Sequence, residues 1–163
     1  MKVITAEDYF ELVMKGFSHL EPAENDEVTI LSEDIFKFRW MARLRLCSFI
    51  THADGLDAHV MRYYTLRCIE MAKKNRSKLG EPLVCFAVAM SDSISRDAID
   101  FSLQRPQIHP AMNVYPVLVD LKNGEIHYYT GPILYGVIYA SFEREYMNGH
   151  FALPLRILKE GLS

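Results

Sequence analysis

The sequence predicts an α/β (or α+β) fold: a single domain over residues 1–163 with a mixed sheet of roughly three to five strands, packed by about five helices. Three observations carry that reading. Leu83-Val-Cys-Phe-Ala-Val-Ala-Met90 is an unbroken apolar run, the pattern of a strand covered on both faces. A helix signal, opened by Ser91-Asp92-Ser93 and carrying Ile94, Ala98 and Phe101, separates it from a second strand near Val114 to Leu121. These two strands should lie parallel through a right-handed crossover. Asn123-Gly124 then offers the positive-φ pair of a type I′ turn, which places Glu125 to Tyr129 antiparallel beside the second strand.

The other elements follow in chain order. Thr5 with Asp8 three residues on resembles a capping box, and Ile4 and Tyr9 are spaced as a hydrophobic staple. Ala6, Phe10, Val13 and Phe17 share one face of the helix they open. Residues 21–27 read as an acidic loop and Val28 to Leu31 as a short strand. Ser32 caps a second helix through about Ile50: Phe36, Trp40, Leu44 and Cys47 fit a helical stripe, and the stretch has no Gly or Pro. Phe38, Trp40, Leu44 and Leu46 also alternate as in a strand. Asp54-Gly-Leu-Asp57 caps a third helix, with Leu56, Val60, Tyr64, Cys68 and Met71 as its stripe and an end near Gly80. Pro106 and Pro110 mark a loop. The last helix starts at Thr130-Gly131-Pro132 and stops at Asn148-Gly149, with Phe151 to Leu158 as an edge strand or a packed extension. No internal repeat, linker or low-complexity tract divides the chain.

Composition bounds the function. With 50% apolar and 24% charged residues, the chain is globular rather than disordered. Cys47, Cys68 and Cys85 form no C-x-x-C pair and each sits in an apolar stretch, which implies reduced core thiols and a reducing compartment. Glu7 and Asp8 interrupt the start before a signal peptide's apolar run develops. The longest stretch free of charged residues and histidine, Tyr128 to Phe142, is 15 residues and contains Gly131-Pro132, short of the roughly 20 apolar residues a membrane span needs. A soluble cytoplasmic protein without a membrane partner is the expectation. Net charge is −3 but segregated: residues 1–36 carry −7, residues 37–80 carry +7, and the remainder −3. The basic block is either an anion or nucleic-acid surface or is covered by the acidic N-terminal third, with Lys73 to Lys78 closing a helix whose C-terminal dipole favours cations. The second reading makes nucleic acid an unlikely partner.

Two places gather chemistry-bearing side chains. With a two-residue turn, Lys122 faces Glu125, Asp120 faces His127, Leu121 faces Ile126 and Val119 faces Tyr128. Val117, Val119, Leu121, Ile126 and Tyr128 then make a core face, and Leu118, Asp120, Lys122, Glu125, His127 and Tyr129 the other. A carboxylate beside a histidine orients an imidazole for base catalysis or metal binding, so Asp120, Lys122, Glu125 and His127 are the catalytic candidates. The competing reading is a solvated hairpin tip. Asp120-Leu-Lys122 and Glu125-Ile-His127 each resemble the acidic-x-basic half of the PD-(D/E)XK nuclease motif. The element order departs from that family, because a helix separates the first two expected strands where the nuclease core has a meander.

Topology supplies the second place. Ligands of open parallel sheets bind beyond the strands' carboxyl ends, and that edge carries Asp92, Ser93, Ser95 and Asp120 at a helix N-terminus. Two carboxylates and several hydroxyls there suit Mg²⁺ or an anionic or small-molecule ligand, although helix capping accounts for the same residue types. His52 and His59 flank Asp54 and Asp57 without tetrahedral metal spacing, so no metal residue is assigned. No Walker loop, dinucleotide fingerprint, G-x-S-x-G or H-E-x-x-H occurs. Tyr135, Tyr139, Phe142 and Tyr146 line one side of the last helix and Leu134, Val137 and Ile138 another. Such a two-sided helix is either sandwiched within the chain, lies at a two-fold contact through Tyr135, Tyr139 and Tyr146, or offers a stacking platform for a base or aromatic ligand.

Two functions remain open from sequence. The first is a small binding or accessory domain, self-associating and without catalysis of its own. The second is a metal-dependent phosphate-ester hydrolase built on Asp92, Asp120, Glu125 and His127.

Overall fold

The computed structural model describes residues 2–37, 42–76, 81–107, 109–132 and 137–161, and in it one six-stranded sheet carries both halves of the core. In chain order the elements are α1 (Ala6–Gly16), β1 (Ala23–Asn25), β2 (Val28–Lys37), β3 (Ala42–His52), α2 (Ala58–Lys74), β4 (Leu83–Ser91), α3 (Arg96–Leu103), β5 (Met112–Asp120), β6 (Glu125–His127) and α4 (Val137–Met147). A π-helical turn at Asn148–Ala152 then leads into α5 (Leu153–Glu160). The strands lie side by side in sequence order: β1 to β3 form an antiparallel meander, β3 to β5 are parallel, and β6 closes the edge antiparallel. Two crossovers of one hand that step the same way along a sheet must put their helices on one face. Accordingly α2 and α3 pack together over Cys47, Phe49, Cys85, Ala87, Val114 and Leu118. The opposite face, Leu44, Leu46, Val84, Phe86, Tyr115 and Val117 among others, is covered by α1 and by residues Tyr146, Met147, Phe151 and Leu155 of the C-terminal helices.

The mixed α/β sheet is as the sequence predicts, with β4 and β5 parallel neighbours and β6 antiparallel beside β5. Its six strands exceed the three to five expected, because the second helix expected from Ser32 to Ile50 is instead the β2–β3 pair, in register from Thr29↔Ile50 to Lys37↔Ala42. The helical stripe is split accordingly: Phe36 is exposed, Leu44 faces one core and Cys47 the other, while Trp40 lies outside the described residues. A strand apolar on both faces reads much like a helix when no Gly or Pro punctuates it. The element order therefore contains a meander before the first crossover, where the sequence predicts a helix.

The two-residue turn also sits elsewhere than expected. Asn25 pairs with Val28, leaving Asp26 and Glu27 as the loop, both in the left-handed region at φ 47° and 64°. This is the type I′ signature without glycine or asparagine. Arg67 at 3.3 Å from Asp26 and the Thr51 hydroxyl at 3.3 Å from the Glu27 carbonyl oxygen hold it down. Relieving the strain with Glu27→Gly is expected to raise unfolding free energy by about 0.5–1 kcal/mol, read from urea denaturation. At Asn123-Gly124, by contrast, only Gly124 has positive φ (64°), and the loop is Leu121 to Gly124 because Asp120 pairs with Glu125. The pairing is displaced by one residue on each strand from the expected one, a shift that leaves every side chain on its expected face.

The helices on the sheet differ in detail from their expected stripes. α1 is capped by Thr5, which accepts from Asp8 N at 3.0 Å, and buries Tyr9 and Val13. α2 is capped by Asp57 and buries Met61, Tyr64, Cys68, Ile69 and Ala72, leaving the expected Val60 at the surface. The thiols of Cys47, Cys68 and Cys85 are free and buried, with Cys47 opposite Cys85 in neighbouring strands. Burial pushes Cys68 up to about 12 and raises the other two, so none is a ready nucleophile. Asn148-Gly149 does not stop the last helix. Pro154 lacks an N–H and its ring crowds the carbonyl one turn back, and the chain passes it by widening to the π-helical turn before α5. Among the described residues no helix is long and apolar enough to cross a membrane.

Candidate functional site

The carboxyl ends of β4 and β5 bring together part of what the sequence singles out. Ser91 pairs with Asp120, so Asp92 and Asp120 lie at the same end of the sheet. The loops there are knitted to each other: Leu56 N donates to the Ser93 carbonyl at 2.9 Å and Ser95 N to the Leu56 carbonyl at 2.9 Å. The Ser95 hydroxyl is shared between the Leu56 carbonyl, at 3.2 Å, and the Asp97 carboxylate. The backbone groups of Ser93 and Ser95 are thus committed to closing this edge, and Asp92 points into solvent from an exposed position.

Asp120 is no solvated hairpin tip. At 4% exposure its carboxylate accepts from Asn123 N at 3.0 Å and from Asn123 Nδ2 at 2.7 Å, shaping the four-residue loop. Asp120→Ala is therefore expected to cost about 1–3 kcal/mol, rather than the small loss of an exposed cross-strand pair; equilibrium unfolding in urea measures it. Ligand atoms of Asp120, Glu125 and His127 nonetheless lie within 4.8 Å of one another. His127 Nε2 is 3.6 Å from a Glu125 oxygen and makes no hydrogen bond, while Lys122 is exposed in the loop. His127 faces Leu118 and not Asp120, so the expected acid–imidazole pair is diagonal.

A cavity lies at the other end of the same sheet face. α3 has 8 residues and spans roughly 12 Å, whereas β5 has 9 and spans roughly 30 Å. The helix therefore leaves the amino half of β5 uncovered. Residues 104–107 and His109 border the gap, an open cavity of about 400 Å³. Its floor is Val114 and Pro116, one wall is Arg62, Thr65, Leu66 and Ile69 of α2, and the other is Phe101, Gln104, Arg105, Pro106, Gln107 and His109. Pro116 is tolerated inside the sheet because β6 reaches only Leu118 to Asp120, leaving β5 an open edge at that height. The Thr65 hydroxyl donates to the Met61 carbonyl at 2.7 Å, and burial with nearby Lys73 lowers the basicity of His109. Of these residues only Arg62 belongs to a candidate surface in the sequence, the basic block of residues 37–80; for the rest the signal was the short helix followed by a proline-rich connection.

Glu143, also unmarked by the sequence, is fully buried on the opposite face. It accepts from Asn113 Nδ2 at 2.8 Å and from the Tyr115 hydroxyl, and burial raises its carboxyl above the usual range against the lowering pull of those bonds and of Arg144. Tyr146, expected at an interface, is 8% exposed: it stacks on Phe86 at 5.3 Å and donates to Glu33 at 3.0 Å. Tyr139 packs partly buried against the same core, and Tyr135 lies outside the described residues. Packing within one chain thus accounts for Tyr146 and much of Tyr139. The acidic N-terminal third meets the basic block through Asp26–Arg67 and Asp34–Arg45, both at 3.3 Å.

No protein-family model, curated protein or solved structure matches the chain.

Proposed function

We propose that this chain is a small-ligand binding domain without catalysis of its own, holding its ligand in the cavity between α2, α3 and β5. The cavity itself carries the reading: about 400 Å³, within the range of small-molecule sites, with an apolar floor and a few polar groups at the walls. Among the described residues its lining offers Thr65, whose hydroxyl is spent within its own helix, and His109 without a carboxylate beside it. Calorimetric titration with octanoate and with 1-octanol tests it. Saturable one-to-one binding of either is expected, abolished by Leu66→Trp, which fills the mouth from a half-exposed position while leaving the melting temperature unchanged. Absence of binding by both ligands would overturn the proposal.

One observation favours a second reading, a metal-dependent phosphate-ester hydrolase: the convergence of Asp120, Glu125 and His127 around an unbonded imidazole nitrogen. Mg²⁺ or Mn²⁺ would be held by the two carboxylates and the imidazole. Hydrolysis of a nitrophenyl phosphate ester that requires the metal and is lost in Glu125→Gln supports it. Metal titration of the native protein without heat or activity removes it.

A further inference from the structure

We infer that the cavity selects an organic anion, a carboxylate-like head group between Arg62 and Arg105 with an apolar body against Leu66 and Ile69; the inference rests on the cavity being the ligand site. The two guanidinium groups come from opposite walls, one on α2 and one in the connection after α3. Arg45, Arg67 and Arg96 each pair with an aspartate at 3.2–3.3 Å, but neither Arg62 nor Arg105 makes an ion pair among the described residues. Arg62 lies 5.8 Å over the Phe101 ring, a contact that occupies the guanidinium's face and leaves its N–H edge available. Arg105 spends only Nε, on the Tyr129 hydroxyl at 3.4 Å, and keeps its two terminal amino groups. The lining holds no carboxylate to neutralise them, and Lys73 stands near enough to His109 to depress its basicity, which adds a further positive charge to the neighbourhood. Two guanidinium groups without a carboxylate partner in one lining, beside apolar side chains, match a planar anion carried on a hydrocarbon body.

Octanoate, 1-octanol and octylamine share a chain and differ in head-group charge, so calorimetry with the three reads the selectivity directly. Octanoate is expected to bind about tenfold or more tightly than 1-octanol, with octylamine weakest. Arg62→Gln and Arg105→Gln should each reduce octanoate affinity several-fold and leave 1-octanol unchanged, and raising salt should weaken octanoate alone. Equal binding of octanoate and 1-octanol, or octanoate affinity untouched by both substitutions, would overturn the anion inference while leaving the ligand site standing. Failure of all three ligands to bind would overturn the site and the inference together.

Discussion

Phe86→Ala is expected to lower the unfolding free energy by about 3–5 kcal/mol, a large share of what a domain of this size possesses. Phe86 is fully buried on β4, which runs between β3 and β5. Its ring lies 5.3 Å from that of Tyr146, 5.9 Å from Tyr115 and 6.1 Å from Phe151, so it joins the sheet to the C-terminal helices. Truncation leaves a hole bounded by aromatic rings on two layers, and the sheet cannot close it without breaking its own register. Phe86→Leu, which keeps most of the volume, should lose much less. Urea unfolding followed by tryptophan-independent circular dichroism gives both values. A loss below about 1 kcal/mol for the alanine variant would mean that this face of the sheet is loosely packed.

Glu143→Ala is expected to cost about 3 kcal/mol, since it leaves the Tyr115 hydroxyl and the Asn113 amide without their buried acceptor and opens a cavity. Glu143→Gln behaves differently. Burial raises the folded carboxyl above its value in the unfolded chain, so the protonated form is favoured by folding. Glu143 then contributes its full stability below about pH 4, the unfolded carboxyl range, and loses it as pH rises through the folded value. The glutamine variant has no such loss. Its stability relative to the native protein should therefore improve as pH rises from about 4 through the folded value and then level off, measured as the difference in urea midpoints. A difference that does not change with pH would show that the hydrogen bonds and Arg144 offset the burial of the charge.

Much of the sheet was legible in sequence for a local reason. Leu83 to Met90 is apolar without a break because both faces of β4 are covered, and a helix-length insertion before Val114 forces a parallel partner. The faces of β5 and β6 were also readable, because a side chain's face depends only on parity: Val117, Val119, Leu121, Ile126 and Tyr128 all lie on one core. The pairing was not, since Asn123 adopts no left-handed conformation and Asp120 instead draws the loop around Asn123. β2 and β3 were misread because alternation and helical spacing both fit residues 36–47, and only the partner strands settle which hydrogen bonds form. For the candidate sites the division is similar. Sequence placed Asp92 and Asp120 at one end of the sheet, but the cavity depends on how far a short α3 reaches along β5, which no motif encodes.

By itself, the sequence determined the α/β class, the parallel pair with its hairpin, the helix caps at Thr5 and Asp57, and the apolar setting of the three thiols. Those follow from periodicity, capping chemistry and chain connectivity, all of which act over a few residues. The tertiary structure decided the β2–β3 meander, the I′ turn at Asp26-Glu27, the burial of Glu143 and Tyr146, and the cavity between Arg62 and Arg105. Each of these depends on which surface comes to lie against which. Glu143 finds its buried hydrogen-bond donors in Asn113 and Tyr115, which are 30 and 28 residues away in the chain.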